Sequence, residues 1–354
     1  MKATVMMPLC LGMALLTAQA QAAPTIYPVD TARFLGTAKF DFKVEFDREL
    51  KESDMDVRIN GKSVEDVFGA KPEFIRNEEG KGSAILLRNV SLKPGKYAVT
   101  AKDGKEESVA KWDVYGTPEK AKAKNVILLI ADGLSMGHRT GARLLSKGVT
   151  NGMYNGYLSM DTLPYTGMLG TCSVDSIAAD SANTASAYMT GHKSSVNAIG
   201  VYADRTKDPF DDPRQETIAE LLRRKTKKSI GIVSDAEIED ATPAAVVSHT
   251  RKRSEKAAIV GMFADIRPEV LIGGGSAYFL PRTVPGSKRK DEKDYVEDFR
   301  KAGYTLATTR TELLNVMEKT PDRLLGLFHT GNLDGSLDRK QLKKGTVSKF
   351  PDQP

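Results

Sequence analysis

The period of the apolar residues changes once along this chain, and that change limits what each part can fold into. From about Thr25 to Tyr115 the period is two: Phe40, Phe42, Val44 and Phe46 point one way and Asp41, Lys43 and Glu45 the other, as in half-buried strands. Asn60-Gly61, Lys93-Pro-Gly95 and Asp103-Gly104 are turn signals, and the runs Ala84 to Leu87, Lys96 to Thr100 and Ala110 to Tyr115 read as strands between them. This pattern predicts a small all-β sandwich over residues 23–116, with no chemistry visible in it and a structural or docking role as its default.

Beyond a linker, Gly116 to Lys124, strand and helix patterns alternate. Strands are expected at Val126 to Ala131, Ser229 to Ser234, Glu269 to Ile272 and Leu324 to Phe328, and helices from Ser181 and over Glu216 to Arg224, Tyr295 to Ala302 and Thr311 to Met317. Such alternation predicts an α/β domain over residues 117–354 with a mostly parallel, doubly wound sheet. The preceding sandwich is of immunoglobulin-like type, without the cysteine pair of antibody domains.

Lys2, the apolar stretch Met6 to Leu16 and the small-residue run Ala18 to Ala23 read as a secretory signal cleaved after Ala22, which implies a periplasmic or extracellular protein. The apolar run is too short to span a bilayer, so no stable membrane insertion is expected. With the signal removed, Cys172 is the one remaining cysteine, and stability must come from core burial or metal. A net charge of +6 raises the question of nucleic acid, but the clusters Arg223 to Lys228 and Lys288 to Lys290 lack interleaved aromatics and read as solvated helix ends and loops.

The chemistry-bearing residues fall in the second part. Asn125 to Ala131 ends abruptly at Asp132, where open α/β sheets place their ligands. Asp180-Ser-Ala-Asn-Thr-Ala-Ser-Ala-Tyr-Met-Thr-Gly191 puts Ser181 at the start of an alanine-rich helix, whose N-terminus favours an anion such as phosphate. A serine attacking a phosphate monoester needs deprotonation and charge cancellation, which divalent metals supply. Asp132, Asp240 and Thr242 offer oxygen ligands of the kind magnesium takes. Arg253 presents a planar guanidinium for two phosphate oxygens, with Arg251 an equal choice on composition alone. Each has a plainer reading taken singly: Asp132 as a turn former, Ser181 as a cap or packed small residue, Asp240 as a helix cap, Arg253 as surface charge.

The order of these segments resembles the alkaline phosphatase family over roughly residues 120 to 350. Ile130-Ala-Asp132-Gly-Leu-Ser-Met-Gly137, the Asp180 to Gly191 segment with Lys193 and Asn197-Ala-Ile-Gly-Val201, and Asp240-Ala-Thr-Pro-Ala-Ala245 with His249 and Arg253 carry the likeness. It continues through Arg267 to Gly275, Phe299 to Tyr304, Thr309 to Leu314 and Leu324 to Phe328. The resemblance implies a metal-dependent phosphomonoesterase with Zn2+ and Mg2+, often a homodimer, acting on phosphate monoesters through a phosphoserine. In that scheme Ser181 is the nucleophile and a zinc ligand, Asp132 bridges zinc and magnesium, and Asp240 and Thr242 belong to the magnesium site. Arg253 clamps the phosphate oxygens and Asp180 orients Arg253.

The chain departs from the family after Leu324 to Phe328. Family members continue into a segment with a metal-binding glutamate, an Asp-x-x-x-His pair, an Asp-His pair and a further histidine, none of which this chain contains. Its four histidines, His138, His192, His249 and His329, are far apart and form no zinc-like pair. Leu324 to Phe328 is also followed by a polar tail, which leaves an open apolar sheet edge. The expectation is therefore a truncated phosphatase of little activity alone. The alternative is a catalytically inactive exported protein that binds anions or an envelope partner. A sulfatase or phosphodiesterase of the same superfamily fits less well, since neither Cys172-Ser-Val-Asp-Ser176 nor the Ser181 segment carries the sulfatase arginine.

Overall fold

The computed structural model describes residues 23–354 apart from residues 121 and 347; the expected signal, residues 1–22, lies outside them. The first part contains β1 (Thr25–Tyr27), β2 (Arg33–Leu35), β3 (Phe40–Glu45), β4 (Asp56–Ile59), β5 (Lys62–Ser63), the short helix α1 (Val64–Phe68), β6 (Glu73–Ile75), β7 (Ala84–Val90), β8 (Gly95–Lys102) and β9 (Glu107–Tyr115). They form two sheets, in the orders β1-β3-β7-β6 and β2-β9-β8-β4-β5. All pairings are antiparallel except β2 with β9. Phe40, Phe42 and Val44 of β3 meet Ile59, Val99, Ala101, Ala110 and Trp112 from the opposite sheet, so one apolar layer lies between the two. Removing a side chain of this size from water contributes roughly 1.5–3 kcal/mol.

The expected solvent face of β3 is not exposed. Asp41, Lys43 and Glu45 are buried like their apolar neighbours, Lys43 to 2% of its accessible surface. What covers them is the segment from Val201 to Gln215 of the second part, so the alternation marks two different buried environments. One is apolar and the other is ionic.

The second part holds α2 (Met136–Lys147), a small hairpin of β10 (Val149–Thr150) and β11 (Met153–Tyr154), α3 (Ser181–Thr190), α4 (Ile218–Lys225), β12 (Gly231–Glu237), α5 (Ala241–Ala244), α6 (Lys256–Ile266), β13 (Val270–Gly274), α7 (Tyr295–Lys301), β14 (Thr305–Ala307), α8 (Arg310–Met317) and β15 (Leu324–Leu327). The four long-range strands make a wholly parallel sheet in the order β12-β13-β15-β14. Successive strand residues go to opposite faces. Leu271 and Leu325 pack with Ile259 and Phe263 of α6 and Phe299 of α7, whereas Ile272 and Leu324 pack with Leu313 and Val316 of α8. Helices therefore cover both faces, which is the doubly wound arrangement expected.

Two local expectations fail. Asn125 to Ala131 forms no regular element and pairs with no strand among the described residues, and Val126, Ile127 and Leu129 are 86%, 86% and 89% exposed. A strand exists only where a neighbour takes its backbone N–H and C=O groups, which local sequence cannot guarantee. Conversely, β15 is not an open edge: it lies between β13 and β14, and all four of its residues are buried. The polar tail folds back beyond it, with Asp352 accepting from the Arg310 and Thr311 amides and Gln353 buried against Asp334. The helices α2 and α6 and the short strand β14 were not anticipated; α6 is apolar on most sides and shows no clean amphipathic period, whereas α2 is amphipathic but largely polar.

Candidate active site

Two helix starts build the site. Asp180 caps α3, its carboxylate accepting from the Asn183 amide at 3.0 Å, which makes Ser181 the first helical residue and aims it from the helix N-terminus. The helix stops at Gly191, whose φ of +80° is open to glycine at little cost. Ala182 and Ala185 lie in the same apolar core as Ala241, Ala244 and Ala245, all nearly or fully buried. The small side chains let α3 and α5 approach closely, and so bring Ser181 beside the segment that carries Asp240 and Thr242.

Asp240 stands at the N-cap position of α5, yet its side chain makes no capping bond. It instead accepts from Arg253 Nη2 at 2.9 Å, while Arg253 Nη1 donates to Ser181 Oγ at 2.8 Å. One guanidinium thus spans the serine and the aspartate. Asp180 Oδ2 lies 4.0 Å from Arg253 Nη1, too far for a direct hydrogen bond. It accepts from the Asn197 amide at 2.8 Å, and Asn197 O accepts from the Arg253 amide at 2.9 Å. Asp180 is therefore linked to Arg253 chiefly through the Asn197 backbone. Of the two arginines, Arg253 reaches Ser181, whereas Arg251 is turned away onto Asp204, Asp212 and the Thr206 carbonyl.

On the other side of α5, Thr242 Oγ1 donates to Asp132 Oδ2 at 2.8 Å. The loop after the unpaired run thus reaches the site even though that run is not a strand. Asp132, Asp240 and Thr242 are hard oxygen donors, and Thr242 is already in contact with Asp132, so this set fits a magnesium-type cation. It does not fit zinc. His192 is buried against Tyr202, His249 is bonded to Gly200 O and Glu220, His329 to Thr346, and His138 to Ser135, so no imidazole is directed at the site.

One neighbour escaped sequence reasoning. Glu239 is fully buried, and neither carboxylate oxygen has a hydrogen-bond partner. Burial pushes its carboxyl up to about 8, with the Asp240 charge adding to the effect and Lys288 opposing it. Gly275 makes room for it, because a Cβ there would lie 2.2 Å from Glu239 Oε2. The only sequence signal was the acidic pair Glu239-Asp240, of which just the second member was assigned. The basic clusters are committed elsewhere: Arg223 to Glu269 and the carbonyls of Ile266 and Arg267, Arg224 to Glu216, and Arg289 to Asp291. The thiol of Cys172 accepts from Lys193 Nζ at 2.8 Å, which lowers its pKa.

A profile of the family described as alkaline phosphatase matches residues 123–352. The tissue-nonspecific alkaline phosphatase of Gallus gallus is 30% identical over 262 residues, covering 64% of this chain and 50% of that protein. Alkaline phosphatase H of Pseudomonas aeruginosa (strain UCBPP-PA14) is 34% identical over 242 residues, covering 60% and 48%. This chain thus spans about half the length of the curated relatives it matches. Among solved structures, a cold-active alkaline phosphatase from Shewanella sp. aligns with a TM-score of 0.49 at 25% identity, covering 62% of this chain and 49% of that one. The Thermus thermophilus alkaline phosphatase aligns with a TM-score of 0.44 at 26% identity, covering 51% and 34%.

Proposed function

Because the chain belongs to the alkaline phosphatase family, we propose that Ser181 and Arg253 form the phosphoryl-binding half of a metal-dependent phosphomonoesterase centre. The observation that carries this reading is the single guanidinium bonded to Ser181 Oγ at 2.8 Å and to Asp240 at 2.9 Å. A phosphate monoester entering here exchanges the Asp240 contact for its own oxygens, and Arg253 holds two of them in a planar fork. Ser181 Oγ is then placed for in-line attack: the hydroxyl gives its proton to solvent as the Oγ–P bond forms, the ester P–O bond breaks, and the leaving alkoxide takes a proton back from water, so the alcohol departs with no net change in protons. Attack by water on the resulting phosphoserine releases phosphate and restores the hydroxyl. A divalent cation held by Asp132, Asp240 and Thr242 would supply charge neutralisation and lower the pKa of an attacking oxygen. Asp180 keeps α3 capped and, through Asn197, holds the backbone of Arg253 in register.

The reading includes export, carried by the signal-like residues 1–22, and broad choice of the alcohol, because the contacts converge on the phosphoryl group. It is tested by hydrolysis of a chromogenic phosphate monoester at alkaline pH with zinc and magnesium, comparing the chain with Ser181→Ala. A rate confined to the unaltered serine supports it; equal rates exclude serine-based turnover. A second reading, phosphate binding without turnover, is favoured by the commitment of all four histidines to partners outside the site. Phosphate binding that depends on Arg253, with no hydrolysis, would identify it.

A further inference from the structure

Two connections run from the sandwich to the segment carrying Arg253. The first is ionic. Lys43 Nζ on β3 lies 2.6 Å from Asp204 Oδ2, 2.7 Å from Glu78 Oε1 and 3.0 Å from Glu45 Oε1. The other oxygen of Asp204 accepts from Arg251 Nη2 at 2.7 Å, and Arg251 Nε donates to Asp212 at 2.9 Å. Next to this, Arg205 donates to Glu78 and to the carbonyls of Phe46, Gly82 and Ser83, so its guanidinium is spent on the sandwich. Burial works against the Lys43 charge, yet the surrounding carboxylates hold its ammonium above its ordinary value. Arg251 lies two residues before Arg253.

The second connection is a run of backbone pairs. The Asp41 amide donates to Arg214 O at 2.8 Å, the Gln215 amide to Gly200 O at 3.0 Å, and Ile199 and Thr250 exchange both bonds, at 2.7 and 2.9 Å. The Arg253 amide then donates to Asn197 O at 2.9 Å. Gly200 allows the close approach in the middle: its φ is +62°, and a Cβ would meet Ser248 O at 2.3 Å. No free linker separates the sandwich from these contacts.

We infer that the sandwich is a positioning element of the phosphate site, with Lys43 and Asp204 setting the placement of Arg253 through Arg251 and the paired backbone. The ionic cluster fixes the segment from Thr250 to Arg253 on one side, while Asp180 and Asn197 fix it on the other. This rests on the assignment of Arg253 to phosphate, and it adds a role to a domain that otherwise reads as an accessory. None of the sandwich residues named touches the phosphate site itself.

The test uses the full chain with inorganic phosphate as the probe, by calorimetric titration, together with hydrogen exchange at the amides of Thr250 and Arg253. Lys43→Met and Asp204→Asn are expected to weaken phosphate about two- to thirty-fold and to speed exchange at both amides, at temperatures where each variant remains folded. Arg48→Met, which breaks the Arg48–Asp103 pair inside the sandwich, serves as the control for general loosening and is expected to leave both readouts unchanged. Unchanged exchange at Thr250 and Arg253 in Asp204→Asn overturns the inference, whether or not phosphate binds. So does an equal loss in Arg48→Met. Failure of the underlying assignment looks different: Arg253→Ala would then bind phosphate as the parent does, or the parent would not bind it, while the exchange result still decides the coupling.

Discussion

Asp240 holds the N-cap position of α5 but gives its carboxylate to Arg253 at 2.9 Å, leaving the first turn of the helix without a side-chain cap. A carboxylate withheld from the local bond it is best suited for serves something else. With Thr242 two residues on and bonded to Asp132, the proposed role is to hold a cation. Magnesium is expected to raise the melting temperature of the chain in proportion to ln(1 + [Mg]/Kd), and Asp132→Asn or Asp240→Asn to abolish the rise. A magnesium-dependent shift that persists in both variants locates the cation elsewhere.

Arg253→Lys retains the charge and loses the fork. Inorganic phosphate is expected to bind about tenfold more weakly to it, since a lysine replaces two directed bonds with one mobile ammonium. Arg251→Lys, which keeps a cation beside Asp204 and Asp212, should weaken phosphate less than Arg253→Lys does and should lower stability as well. Titration calorimetry and urea unfolding separate the two effects.

His192 makes stability depend on pH. It is buried, stacked on Phe34 at 4.6 Å between ring centres and bonded to Tyr202 at 3.0 Å, and burial pulls its pKa from 6.5 down to about 3. The unfolded chain therefore binds a proton first as the pH falls. Its contribution is complete above about 6.5 and is lost progressively between that value and about 3, with a slope approaching 1.4 kcal/mol per pH unit. Urea denaturation at pH 6.5 and 5 should show about 2 kcal/mol less stability at the lower pH, and His192→Asn should remove most of that difference. A slope unchanged in the variant assigns it to other groups.

Gly200→Ala meets both an unfavourable φ and the Ser248 carbonyl. Its cost is expected to exceed about 3 kcal/mol, against about 1–2 kcal/mol for Gly61→Ala, where φ is also positive but the space is open. Equal costs would show that conformation alone, without the close approach, governs Gly200.

The exposed run from Val126 to Ile130 is an aggregation hazard of the kind that pairs edge to edge. Ile127→Lys with Leu129→Lys is expected to raise the concentration at which the chain stays monomeric by light scattering, with little change in melting temperature, because both side chains are already in water.

What the sequence disclosed depended on how local the determinant was. Ser181 at a helix start, the helices around Ile218 and Tyr295, and the turns at Asn60-Gly61 and Asp103-Gly104 are specified by caps, periodicity and backbone preference within a few residues. The site grouping of Ser181, Arg253 and Asp240 was legible only through the resemblance, because nothing local says that residues 72 apart will share a hydrogen bond. Asn125 to Ala131 went wrong for the same reason in reverse: its apolar β-branched character is local, but pairing is not. The charged side of β3 misled most, since alternation reports that two faces differ and not that one of them meets water. Lys43 looks like a solvated lysine until the carboxylates of Glu45, Glu78 and Asp204 are placed around it.

The Val201 to Gln215 segment therefore belongs to the sandwich as much as to the α/β domain it is threaded through. A recombinant that transplants residues 23–116 without that segment leaves Lys43 with only Glu45 and Glu78 and Asp41 with only Arg88, and one that deletes residues 23–116 takes Lys43 from Asp204 and Glu78 from Arg205. The exchangeable unit is discontinuous: residues 23–116 together with the Val201 to Gln215 segment.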